Sequence, residues 1–167
     1  MRWMIVPVLA ICAATASADD RAIESEGLVD RPVAEAWAMW TTVEGLSFFA
    51  PSGLIELEPG GRYEVWFAPD NPEGMRGSEG THILAMQDQR FLSVTWALPP
   101  YMPEVRDHLT HLTIRLEPVG EDQTRISIRH DGWGEGGQWD DAHAYFEPNW
   151  AAIIELMQPG AAANAAE

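Results

Sequence analysis

His82, His108 and His130 are the residues of this sequence best suited to chemistry, because a neutral imidazole is the commonest metal ligand and titrates near neutrality. Whether they act together depends on which way they face. In a strand with one buried face, alternate residues point inward. Ile126 and Ile128 then place His130 inside, Leu112, Ile114 and Leu116 place Thr110 inside with His108 at the edge of the same row, and Leu84 and Met86 place His82 inside. Leu92 and Val94 turn Trp96 and Leu98 inward, while His111, Arg129 and Asp131 fall on the outer face. Shared parity does not make three side chains neighbours, and a buried histidine is satisfied equally well by a backbone or hydroxyl partner. No carboxylate at ligand spacing and no two-histidine helix motif completes a metal site, so no metal or other cofactor is expected.

Other chemistry has less support. Ser47, Ser52 and Ser78 sit in helix-end or glycine-rich contexts, and none lies in an elbow-like nucleophile motif. Asp140 and Asp141 open the last helical pattern, where they complement the helix dipole. Trp37, Trp40, Trp66, Trp96, Trp139 and Trp150 suit either the lining of an apolar ligand cavity or ordinary core filling.

The elements that must position these groups follow from periodicity and turn residues. Residues 22–29 read as a strand, and Pro32 opens an amphipathic helix carrying Val33, Ala36, Trp37 and Trp40 at three- and four-residue spacing. A second short helix is expected over 43–49. Residues 53–58 and 62–68 form a hairpin around Glu58-Pro59-Gly60-Gly61, which fits a type II turn. A Pro- and Gly-rich loop over 69–78 precedes strands at 79–86 and 91–98, and a second irregular stretch over 99–106 precedes strands at 109–117 and 124–130. Residues 138–157 then present Trp139, Ala142, Phe146, Trp150, Ile153, Ile154 and Met157 on one helical face. Pro148 should kink or divide that helix. Strand, helices, many strands, helix is the order of an α+β domain with an antiparallel meander.

At the N-terminus, Arg2, the apolar run from Trp3 to Ala14 and the small residues Ala16 and Ala18 read as a secretory signal over 1–18, too short to cross a bilayer. Ile11 before Cys12 disfavours a lipoprotein, so cleavage after Ala18 is expected and no membrane anchor would remain. The domain spans 19–158, with a flexible tail over 159–167. Cys12 is the only cysteine, so disulfides and thiol chemistry are excluded from the remainder. The formal net charge is −16, and every basic residue is Arg. Such a surface repels phosphate backbones and anionic lipid, which argues against nucleic-acid binding and peripheral membrane attachment.

Pro32-Val33-Ala34-Glu35-Ala36-Trp37, Glu58-Pro59-Gly60-Gly61, Thr95-Trp96, and Leu116-Glu117-Pro118 followed by His130-Asp131-Gly132-Trp133 stand in an order that resembles the START-like helix-grip superfamily, in the branch of chaperone ATPase activator homologues. The resemblance spans about residues 22–157. It implies a seven-stranded antiparallel sheet curved round a long C-terminal helix, two short helices after the first strand, and a cavity between sheet and helix. Superfamily members bind lipids, hormones or polyketides, and some catalyse cyclisations, so the resemblance does not select one activity.

Together these readings predict an exported protein, periplasmic or secreted, that binds a small apolar or amphipathic molecule. The expected contacts are His82, Trp96, Thr110, Leu112, Ile114, Ile126, Ile128, His130, Trp150 and Ile153, with an entrance between the last helix and the loops 69–78 and 99–106. A cavity enzyme using His130 as general base, of cyclase, hydratase or isomerase type, is one alternative. A protein-interaction module working through the acidic surface is the other.

Overall fold

The computed structural model of the chain describes residues 21–161. The expected secretory signal, the expected cleavage position and the end of the tail lie outside the described residues.

Alternation of apolar and polar residues builds the larger sheet. β1 (Ile23–Val29), β5 (Ile83–Gln87), β6 (Phe91–Ala97), β7 (Leu109–Pro118) and β8 (Thr124–Asp131) pair in the antiparallel order β1-β8-β7-β6-β5. β7 and β8 show the cleanest two-residue period: Thr110, Leu112, Ile114 and Leu116 are buried from one strand, and Thr124, Ile126, Ile128 and His130 from the other. Their outward neighbours form ion pairs instead, with Arg125 bonding Glu117 and Glu26, and Arg129 bonding Asp131 and Glu24.

β2 (Ser52–Ile55), β3 (Tyr63–Trp66) and the two-residue β4 (Gly77–Ser78) form a second small sheet. The turn between β2 and β3 is the expected one: Gly60 adopts φ +83°, and the Gly61 N–H donates to the Glu58 carbonyl at 2.9 Å. The small sheet abuts β5 through a bridge between Arg62 and His82. The barrel-like half-wrap therefore has eight strands in two sheets rather than seven in one. β4, absent from the sequence-based expectation, occupies the end of the long loop, where it pairs with Val65 and Trp66 of β3.

Pro32, at φ −55°, leads into α1 (Val33–Thr41), followed by a short 3-10 helix at Gly45–Phe48 within the range expected for the second short helix. α2 (Gln138–Leu156) lies across the inner face of the larger sheet and runs through Pro148 undivided, so of the kink or division expected there the division does not occur. Proline removes one backbone donor from the interior of the helix, and the side chain of Asn149 donates to the Tyr145 carbonyl at 2.6 Å in the same turn. Gly27 allows the helix to approach: a Cβ there would stand 2.6 Å from Cγ2 of Ile154, so any side chain on β1 at this point would push α2 away. No described helix is long and apolar enough to cross a membrane.

One strand departs from the expected parity. The pairing of β5 with β6 shifts between Ile83 and Ala85, so that Ile83 faces Val94 while Met86 faces Leu92. This bulge spends an extra residue on β5 and reverses the alternation. Leu84 is left outside and Ile83 is buried. His82, expected inside, is correspondingly exposed beside Arg62.

Candidate functional site

His130 is a buried side chain with both ring nitrogens hydrogen-bonded. It sits near the end of β8, is fully buried, and is enclosed by the rings of Trp133 at 4.3 Å, Phe146 at 4.9 Å and Trp150 at 5.5 Å between centroids. Trp150 Nε1–H donates to its Nδ1 at 3.0 Å. Indole N–H can only donate, so Nδ1 is the unprotonated nitrogen and Nε2 carries the hydrogen. That Nε2–H faces Thr110 Oγ1 at 2.7 Å, and the Thr110 hydroxyl donates onward to the Trp96 carbonyl at 3.0 Å. The Trp133 indole closes the cluster by donating to the His130 carbonyl at 2.9 Å. Every donor in this chain has one acceptor, running from α2 through β8 and β7 to β6.

Burial pushes the His130 pKa down to about 3, helped by the nearby His143 and His111, so the ring is neutral across the physiological range. Its one basic lone pair is occupied by Trp150. A general base needs that lone pair free and within reach of substrate, so His130 does not offer it; its arrangement ties the helix to the sheet. His82 cannot join it, because three strand intervals at about 4.8 Å put β5 roughly 14 Å from β8. His108 is exposed in the turn before β7, with its ring against Trp139 at 5.5 Å. Among the described residues no group of three or more His, Cys, Asp or Glu is placed to hold a metal ion.

The open space lies next to this cluster. A groove of about 460 Å³ runs between α2 and the segments carrying Phe67, Met75, Ser78 and Pro99 to Tyr101. Trp96 and Trp150 form its inner wall, with ring centroids 5.4 Å apart at 71°. From α2 it takes a second face, Tyr145, Asn149, Ala152, Ile153 and Leu156, beside the buried stripe of Ala142, Phe146, Trp150 and Ile154. Phe67, Met75, Tyr101 and Tyr145 are exposed around its mouth. Arg106 fastens the two bounding loops, bonding the carbonyls of Leu98 and, at 3.1 Å, Gly74.

Of the ten residues expected to contact ligand, Trp96, Trp150 and Ile153 line this groove. Thr110 and His130 lie behind Trp96 and Trp150. Leu112, Ile114, Ile126 and Ile128 are packed in the closed core, in one buried cluster with side chains of α1 and α2. Sequence parity did not find the rim, because Phe67, Met75 and Tyr101 sit on loops without a repeat and Tyr145 lies on α2 outside its buried stripe. A signal existed in the large apolar residues Phe67, Met75 and Tyr101 within otherwise Pro- and Gly-rich stretches.

The family described as "Activator of Hsp90 ATPase homolog 1-like protein" matches residues 30–158. Among solved structures, a Mesorhizobium loti protein is similar at TM-score 0.64 and 18% identity, covering 81% of this chain and 93% of its own. A protein from Nitrosomonas europaea is similar at TM-score 0.62 and 20% identity, covering 83% and 93%. An HSP90 activator from Plasmodium falciparum is similar at TM-score 0.62 and 10% identity, covering 80% and 91%. No curated protein matches the chain in sequence.

Proposed function

The chain belongs to the Activator of Hsp90 ATPase homolog 1-like family, and from that premise we propose that it is an exported binding protein for a small apolar or amphipathic molecule held in the groove beside α2. The groove itself carries this reading. Its size falls within the usual range for small-molecule sites, about 300–1,000 Å³, and its lining is mostly apolar and aromatic with a few polar groups. The chain is also −16 in net charge, yet none of the residues lining the groove is Asp or Glu. Binding is favoured over turnover because the one buried histidine near the groove has its basic nitrogen spent on Trp150.

Ligand that binds only the folded state raises stability by about 2.7 kcal/mol at a hundred-fold excess over Kd. A thermal-shift screen of fatty acids, sterols, aromatic polyketides and isoprenoids should therefore yield a hit whose shift grows with the logarithm of concentration. Ala152 is an exposed residue of α2 on the groove wall, so Ala152→Trp should fill the site without disturbing the core and weaken any hit at least ten-fold. A hit of unchanged affinity in that variant would place the ligand elsewhere and end this proposal.

Export rests on the apolar run and the Ala16 and Ala18 site. Intact mass of protein recovered outside the cytoplasm should begin at Asp19. A mass retaining Cys12 with acyl chains would mean a membrane-anchored lipoprotein.

A further inference from the structure

We propose that the groove selects an uncharged, flat aromatic molecule carrying a carbonyl oxygen, which accepts the hydroxyl proton of Ser78. This rests on the groove being the binding site, and it specifies the chemistry of the occupant.

Charge comes first. Arg76 is the sole charged group among the described residues lining the groove. Its guanidinium is already committed, with Nη2 2.6 Å from Glu79 Oε1 and the planar face 4.1 Å over the Trp66 ring. A ligand cation would find no counter-charge on these walls, and a ligand anion would find an arginine already neutralised. Placing either against apolar walls costs desolvation with no return.

Shape comes second. Phe146 stacks on Trp150 with an interplanar angle of 16°, and Trp96 meets Trp150 edge-on. Phe49 and Phe67, 5.9 Å apart, stand at the other side of the space. Walls of fixed ring faces and edges favour another ring between them.

Ser78 supplies the polar anchor. It lies in β4 on the groove lining, is 1% exposed, and accepts the Ala97 N–H on Oγ at 3.0 Å. Among the described residues its own O–H has no acceptor. A buried hydroxyl with an unspent proton carries a desolvation penalty that a ligand carbonyl removes. A hydrocarbon of the same shape leaves that penalty in place.

Three probes of similar outline separate the possibilities: 2-acetylnaphthalene, 2-ethylnaphthalene and 2-naphthoate, titrated calorimetrically into the purified protein. The ketone should bind about five-fold tighter than the hydrocarbon, the size of one buried neutral hydrogen bond, and the carboxylate no tighter than the hydrocarbon. Ser78→Ala should erase the ketone preference while leaving 2-ethylnaphthalene within two-fold of wild type, and Ser78→Thr should restore it. Equal wild-type binding of ketone and hydrocarbon, a preference that survives in Ser78→Ala, or a tighter carboxylate would each overturn this inference with the groove reading intact. The wild-type comparison stands even where the alanine variant folds poorly through loss of the Ala97 partner. If none of the three binds, this inference fails, while the groove reading is decided separately by the thermal-shift screen and Ala152→Trp.

Discussion

Between pH 7 and pH 5 the protein should lose about 2 kcal/mol of folding stability through His130 alone. The ring stays neutral in the folded state because its pKa is pushed down to about 3 by burial, while in the unfolded chain it protonates near 6.5. A base with a depressed folded pKa binds more protons when unfolded. Its contribution is therefore complete above pH 6.5 and is lost as pH falls from there toward 3, with a total on the order of 5 kcal/mol. Glu56, held at about 2 by Arg62, and Asp140, lowered by Arg21, act in the same direction. They titrate in the unfolded chain near or below pH 4.5, so they leave the upper window to the histidine. Urea unfolding at pH 7, 6 and 5 measures the slope, and His130→Gln should flatten it. A wild-type slope retained in that variant would show that another group titrates on unfolding.

Trp150→Ala should cost about 3–5 kcal/mol, the usual range for removing a large buried aromatic. Trp150 is 1% exposed, stacks on Phe146, meets Trp96 edge-on and donates to His130 Nδ1. Trp150→Phe keeps most of the packing and removes the indole donor. It should cost only about 1–3 kcal/mol, the penalty for leaving a buried acceptor without its partner. The same change frees the His130 lone pair, so it should also raise the pH at which acid unfolding begins. Denaturant midpoints with unchanged m-values check both numbers. Equal losses for Ala and Phe would mean that the hydrogen bond, not the ring, holds α2 to the sheet.

Much of this framework is legible in the sequence wherever a strand keeps a strict two-residue period. On β7 and β8 the apolar rows place Thr110 and His130 inside, and the structure finds them bonded to each other. The same rule fails on β5, where a bulge between Ile83 and Ala85 moves His82 to the outside, and a one-residue insertion of that kind leaves no mark on composition. Inward parity also does not distinguish a core position from a cavity wall. Ile126 and Ile128 are enclosed in the buried core, whereas Ile153 lies on the helix face turned toward the groove. The groove depends on where two loops and a helix meet, and sequence spacing carries little of that long-range geometry. β4 is too short to announce itself, and it exists because β3 offers it a free edge.

The position of β1 has a consequence for handling the protein in solution. Among the described residues β1 pairs only with β8, so one of its edges is unpaired, and such an edge invites strand addition from a second copy. Its outward row carries Glu24 and Glu26, each ion-paired with an arginine of the neighbouring β8. The net charge of −16 holds copies apart at neutral pH. Near the isoelectric point of about 4.5 that protection vanishes while the edge remains. Acidification should thus lead to aggregation through β1, and storage well above that pH keeps the chains separate.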